Sequence, residues 1–392
     1  MPAALLASGT FHLSNTPRLR DVATMSSLLK TMGMKIGFQE HTLTLDTAHV
    51  HRHEAPYEHV KKMRASIYVL GPLVARYGRA KVSLPGGCAW GPRPVNLHIE
   101  GIKKLGAEVE LKQGYIHAKA SKLNGARIHF DVSSVGATGN LLMAAVLAKG
   151  TTVIENAAIE PEITSLAEFL RSMGGRIGGI GTNRLEIEGV DELHPVDADT
   201  IPDRIEAGTF LLAAAMTGGS ITLDHVRPEH MSAVLAKLGD AGCRISTGAS
   251  RITLDAPTSI KPVNVTATIY PGFPTDMQAQ WTALMSLAEG TSVVTDSIYL
   301  DRFKHVPELV RLGADISRKE NSAVVQGGKK FMGAKVMSTD LRASASLILA
   351  GLAAEGTTEV LRVYHIDRGY EAIEKKLQVL GADIQRVAGE EF

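Results

Sequence analysis

The sequence predicts an α/β protein made of six copies of one unit, three in each of two domains. Three observations carry this prediction. Turn glycines recur at Gly9, Gly78, Gly150, Gly219, Gly290 and Gly356, about 70 residues apart. Helix-ending glycines repeat with the same period, at Gly33, Gly106, Gly174, Gly242, Gly313 and Gly381. Short β-branched runs such as Thr152–Ile154, Ser220–Leu223 and Ser292–Thr295 follow the turn glycines and read as strands. The period is too long for a stacked solenoid repeat and suits a compact α/β unit.

Each unit then reads in order. A small-residue helix ends at the turn glycine and a strand follows. A loop leads to an amphipathic helix, which stops at the second glycine because glycine accepts the left-handed cap. A strand and a further strand close the unit. The even division falls near Thr200, where Asp197-Ala198-Asp199 interrupts the pattern. The expected domains are residues 1–200 and 201–392.

Composition excludes several function classes. The chain has 392 residues, 44% hydrophobic and 21% charged, enough for two domains with their own cores. A net charge of +1 gives no bulk electrostatic attraction to nucleic acid or membrane. No apolar run reaches the ~18 residues a membrane span needs. The apolar start, Met1–Gly9, lacks the basic lead of a signal peptide. Two cysteines form no disulfide framework, so a reducing, cytoplasmic setting is expected.

One of those cysteines stands apart. Cys88 lies in Pro85-Gly86-Gly87-Cys88-Ala89-Trp90-Gly91-Pro92-Arg93-Pro94, a stretch that suits neither helix nor central strand. A nearby arginine lowers a thiol pKa, and exposure makes the sulfur usable. From turn glycine to helix-ending glycine, this unit has 28 residues where the others have 23 to 25. The extra residues are the loop itself, and an insertion into one copy of a repeat is a natural place for chemistry. Its glycines predict mobility. Cys243, at a strand start, reads instead as core.

Fourteen or fifteen residues before the turn glycines lie Arg64, Gly136, Arg204, Asp276 and Arg342. These are expected helix N-termini, where free N–H groups and the helix dipole favour anions. With Arg93, Arg302 and Arg368 on loops, they suggest a site for a phosphate-bearing substrate. For Asp276, a simple N-terminal charge is the alternative. The same count for the first unit falls ahead of Met1. His49, His51 and His53 alternate but read as a solvated hairpin tip, and Gly178-Gly179-Ile180-Gly181 as a turn. Arg18 and Arg20 read as a basic first turn.

These residues resemble the enolpyruvyl transferase family, in particular those that act on UDP-N-acetylglucosamine. The matching segments are Met63-Arg64-Ala65-Ser66, Leu70–Ala75, the Cys88 loop, Ser134-Val135-Gly136-Ala137-Thr138, Pro202–Glu206, Phe273–Gln280, Asp340–Ala345 and His365–Tyr370. They run in order from about Pro17 to Gly389. The resemblance implies two inside-out α/β barrel domains, each of three βαβαββ repeats. It implies transfer of the enolpyruvyl group of phosphoenolpyruvate to the sugar 3-hydroxyl, with loss of phosphate, at the start of peptidoglycan synthesis. By the same resemblance Cys88 protonates the enolpyruvyl carbon and can add covalently to phosphoenolpyruvate. Asp276 takes the sugar proton. Arg93 and Arg368 hold the phosphate and carboxylate. Arg64 and Arg93-Pro94-Val95-Asn96-Leu97 line the UDP-sugar site, joined by Ser134, Val135, Gly136 and Ile298. Asp340 and Arg342 stand beside the chemistry. No cofactor or metal is implied, and a monomer is expected.

The chain departs from the family pattern in places. A Lys-Asn pair that binds both substrates falls ahead of Met1, with one strand of the opposite domain, so the gene is expected to continue upstream. Asn96 stands where Asp is usual, Val132 where some relatives have lysine, and Ile159 where arginine is frequent. Two other functions follow from these facts as alternatives. One is a catalytically impaired or non-catalytic UDP-sugar-binding paralogue. The other is the shikimate-pathway relative, which does not use a loop cysteine.

Overall fold

The computed structural model describes residues 1–61, 63–84 and 95–388. Two compact units, Met1–Ile201 and Pro202–Phe392, each enclose a separate hydrophobic core.

Unit one repeats a single sheet pattern three times. Each sheet has four strands, and a parallel edge strand pairs with the strand that follows a turn glycine. That strand pairs with an antiparallel hairpin. In the second sheet Glu54–Ala55 lies parallel to Arg79–Ser83, which pairs with Tyr115–Lys119 and through it with Glu108–Lys112. The third sheet does the same with Arg127–His129, Thr151–Glu155, Arg184–Glu188 and Arg176–Gly178. The first sheet takes its parallel edge from the far end of the unit, Ala198–Asp199 against Thr10–Ser14. The expected interruption at 197–199 is therefore a strand. Its short polar sequence satisfies an edge but carries no apolar period.

In unit two, Ser220–Asp224, Arg251–Asp255 and Arg244–Thr247 form a three-stranded sheet. Val265–Ala267, Thr291–Asp296, Ser322–Gln326 and Asp315–Lys319 repeat the four-stranded pattern. Lys335–Met337 and Glu359–Leu361 pair in parallel. The strand expected after Gly381 does not form in residues 382–388.

Six helices, three in each unit, carry or adjoin the candidate residues. They are α1 (Leu70–Tyr77), α2 (Asn96–Lys104) and α3 (Val135–Ala145) in unit one. Unit two supplies α4 (Arg204–Thr217), α5 (Gln278–Ser286) and α6 (Leu341–Leu352). Residues Ala137–Ala145 of α3 and all of α5 are buried. A helix with no polar stripe belongs inside a core rather than on a surface. Alanine, glycine and serine let such helices approach one another closely.

All six helix-ending glycines have positive φ, from 93° at Gly106 to 105° at Gly174. In α4, Gly218 takes the left-handed cap (φ 71°), one residue before the expected Gly219. Gly178–Gly181 is the turn between Arg176–Gly178 and Arg184–Glu188, as its composition predicts. His49–His53 is not a hairpin tip. It connects Thr42–Asp46 to Glu54–Ala55, and His53 Nδ1 accepts a bond from Arg79 Nε at 3.2 Å.

A further repeat marker was not evident from glycine spacing. Gly189 and Gly327 follow equivalent hairpin strands and donate N–H bonds of 2.9 Å to the turn glycines Gly150 and Gly290. A β-carbon on Gly189 would lie 1.6 Å from the Ala148 carbonyl oxygen, and one on Gly327 2.0 Å from that of Ala288. Backbone would have to move in either case. Gly189→Ala and Gly327→Ala should each destabilise their unit by about 3 kcal/mol, seen as a lowered melting temperature. An unchanged melting curve would contradict these close approaches.

Candidate active site

In unit one the expected binding residues sit at helix starts. Arg64 opens the 3-10 segment Arg64–Val69. Val95 is the N-cap of α2, and Asn96 and Leu97 are its first residues. Ser134 caps α3 by accepting the Ala137 N–H at 3.2 Å. Val135 and Gly136 form the first turn of α3, and the Tyr68 hydroxyl donates to the Val135 carbonyl at 3.4 Å.

A buried polar network joins these starts. Asn140 of α3 accepts the Gly71 N–H at 2.6 Å, which fixes Oδ1 on that side of its amide. Its Nδ2 then donates to the Ile67 carbonyl and to His98 Nδ1, both at 3.0 Å. His98, on α2, is 7% exposed. Burial and the charge of Arg64 push its pKa down to about 4, so the ring is neutral. His98 and Asn140 were not candidates from sequence. A histidine one residue beyond a binding segment carries no pattern that separates it from an ordinary core position.

Unit two centres on Asp276. It lies in the one-turn segment Thr275–Met277 that leads into α5. Arg302 Nη1 reaches Asp276 Oδ1 at 2.7 Å, and Arg342 Nη2 reaches Oδ2 at 2.7 Å. Burial alone would raise the carboxyl pKa, but the charges and hydrogen bonds of Arg342 and Arg302 hold it well below the usual range. Asp276 is thus a clamped carboxylate, not a helix cap.

Its partners are themselves held. Arg302 Nη1 donates to Thr275 Oγ1 at 2.9 Å, and Thr275 Oγ1 donates to Asp296 Oδ2 at 2.6 Å. Asp296 Oδ1 accepts the Ile298 and Tyr299 N–H groups, which fixes the turn carrying Ile298. Arg342 Nη1 donates to the Tyr370 hydroxyl at 3.4 Å, and that hydroxyl meets Thr209 Oγ1 at 2.8 Å. Asp340 caps α6, accepting the N–H groups of Arg342 and Ala343. The Asp340 cap therefore sets where Arg342 begins its reach. Arg368, half-buried, ends the 3-10 segment Val363–Arg368 just before Tyr370.

The three arginines expected at equivalent helix starts have different partners. Arg204 stacks 5.5 Å from the Tyr270 ring centre, while Arg342 holds Asp276. Arg302, expected only as a loop cation, is the second clamp on Asp276. Cys88, Arg93, Pro94 and Trp90 lie outside the described residues. Among the described residues no group of acidic, histidine or cysteine side chains is placed to hold a metal.

The family model described as EPSP synthase (3-phosphoshikimate 1-carboxyvinyltransferase) matches residues 1–377. The chain belongs to this enolpyruvyl transferase family. The UDP-N-acetylglucosamine 1-carboxyvinyltransferase of Chloroherpeton thalassium is 63% identical over 395 residues, covering 100% of this chain and 92% of the relative. That of Chlorobium limicola is 59% identical over 390 residues, covering 99% and 92%. Among solved structures, the enolpyruvyl transferase NikO from Streptomyces tendae matches with a TM-score of 0.88 at 27% identity, covering 98% of this chain and 92% of that one. An EPSP synthase from Acinetobacter baumannii matches at 0.74 and 19% identity, covering 97% and 93%, and shows the shared fold.

The second cysteine of this enolpyruvyl transferase is inert by environment. Cys243 is 7% exposed, and burial pushes its thiol pKa up to about 11. A small epoxide should therefore add its mass at Cys88 and leave Cys243 unmodified, as read by peptide mass spectrometry. Addition at Cys243 would contradict this assignment.

Proposed function

We propose that this enolpyruvyl transferase moves the enolpyruvyl group of phosphoenolpyruvate to the 3-hydroxyl of UDP-N-acetylglucosamine. The reaction releases phosphate and commits the sugar nucleotide to peptidoglycan. The observation that carries the reading is full-length identity of 63% and 59% to two proteins named for this reaction. A cytoplasmic monomer fits the reading, and no described helix is long and apolar enough to cross a membrane.

The chemistry needs a base, an acid and cations, and the chain supplies each type. In the addition step, the sugar O3 bonds to C2 of phosphoenolpyruvate while the C2–C3 π bond breaks. C3 takes a proton from the Cys88 thiol, and the Asp276 carboxylate takes the proton leaving O3. In the elimination step, C3 returns a proton to the Cys88 thiolate, the double bond reforms, the C2–O bond to phosphate breaks, and the leaving phosphate takes the proton held by Asp276. General acid–base groups and fixed cations at a developing phosphate account for catalysis of this kind.

The clamp on Asp276 has a mechanistic consequence. A carboxylate paired with two guanidiniums is always ionised but is a weak base. Loosening of either guanidinium when substrate binds would restore basicity to Asp276 at the moment the sugar proton must leave. Asp340 serves this step by anchoring the start of α6, which carries Arg342. Arg93 and Arg368 bind the phosphate and carboxylate of phosphoenolpyruvate. Arg64, Pro94–Leu97, Ser134–Gly136 and Ile298 hold the UDP-sugar.

Phosphate release with phosphoenolpyruvate and either of two acceptors tests the reading. Release is expected with UDP-N-acetylglucosamine and not with shikimate 3-phosphate. The reverse preference would replace this function with that of the shikimate-pathway relative.

A further inference from the structure

We propose that His98 is a positioning residue that braces the two nucleotide-sugar segments, Val95–Leu97 and Ser134–Gly136, against each other. The inference rests on the assignment of those segments to the UDP-sugar. Three observations support it. His98 follows the first segment directly, within the first turn of α2. Its ring lies against the second segment, because a β-carbon built on Gly136 would sit 3.1 Å from Nε2 and 3.2 Å from Cε1. Its other edge is held by Asn140, four residues along α3 from Gly136.

The tautomer follows from the hydrogen bonds. The Gly71 N–H needs an acceptor, so Asn140 Oδ1 faces it. The two Nδ2 hydrogens are then committed to the Ile67 carbonyl and to His98 Nδ1. Nδ1 is therefore an acceptor without a proton, and the single ring proton is on Nε2. A ring fixed at one edge by a fully satisfied buried amide cannot turn away from Gly136 without breaking a buried bond. A methyl group on Gly136 would then crowd the ring at 3.1 Å, and the first turns of α2 and α3 keep one spacing. That spacing is what a ligand touching both turns would read.

Steady-state kinetics on the full chain tests the brace. His98→Ala should raise KM for UDP-N-acetylglucosamine by about tenfold or more, since misplacing a positioning group by ~1 Å costs up to 10²-fold. KM for phosphoenolpyruvate should stay within about twofold of wild type. His98→Asn keeps an acceptor for Asn140 but withdraws the ring from Gly136. It should fold like wild type and show the same selective KM shift. Gly136→Ala should also raise that KM, but should add little once His98 is alanine, because the clash is with the ring. ¹⁵N NMR of the wild type should show an unprotonated Nδ1 and a protonated Nε2 from pH 6 to 8.

Equal shifts in both KM values, multiplicative effects of Gly136→Ala and His98→Ala, or a protonated Nδ1 would each overturn the proposal. Failure of the wild type to bind UDP-N-acetylglucosamine would instead overturn the assignment of the segments and the brace with it. That result is distinct because it appears before any substitution is made.

Discussion

Asp276→Ala should lower phosphate release by about 10³-fold, within the range expected for loss of a general base. The same substitution should also destabilise unit two. Arg302 and Arg342 converge on this carboxylate with side chains only 10% and 13% exposed. Removing it takes away the carboxylate that both guanidiniums share. Breaking a buried pair typically costs ~3–5 kcal/mol, but Asp276 is itself 36% exposed, so about 2 kcal/mol is expected here. Asp276→Asn should fare no better, because its NH₂ would point a donor at one of the two arginines. The difference in stability between wild type and Asp276→Ala has a defined pH dependence. The folded-state pKa is depressed, so the contribution is full at neutral pH and down to about 4, the unfolded value. It shrinks as pH falls further toward the folded value. Thermal denaturation from pH 7 to pH 3, run beside the phosphate assay, checks both parts. An active Asp276→Ala enzyme would remove Asp276 from the mechanism.

Cys88→Ala should reduce phosphate release by about 10³-fold while leaving UDP-N-acetylglucosamine binding within a few-fold of wild type. The contrast arises because the proposed role of the thiol is at C3 of phosphoenolpyruvate, and Cys88 is not among the residues proposed for the nucleotide. Cys88→Asp should retain measurable turnover, since a carboxylic acid can donate the same proton. Calorimetric binding and phosphate release together check the pair of variants. Complete loss in Cys88→Asp would show that proton donation is not the main role of Cys88. Full activity in Cys88→Ala would remove the loop from the chemistry.

The repeat architecture was legible because glycine cannot be replaced cheaply where φ is positive. All six helix-ending glycines adopt that geometry, so their spacing carried the fold. The edge strand Ala198–Asp199 was not legible, since a two-residue polar strand has neither period nor β-branched residues. Asp276 and Arg342 stood out by their equivalent places in the repeat. Their direct pairing did not, and neither did the part Arg302 plays, because a salt bridge across 26 and 66 residues leaves no local pattern. His98 and Asn140 stayed hidden for a related reason. Their bond joins residues 42 apart inside a core where polar side chains look like exceptions.

The mass of the nucleotide product tests the central claim most directly. The protein is incubated with phosphoenolpyruvate and UDP-N-acetylglucosamine, and the nucleotide is recovered and weighed by mass spectrometry. The account predicts the enolpyruvyl ether at the sugar 3-oxygen, formed together with an equal amount of phosphate. Recovery of unchanged UDP-N-acetylglucosamine from well-folded protein would contradict it.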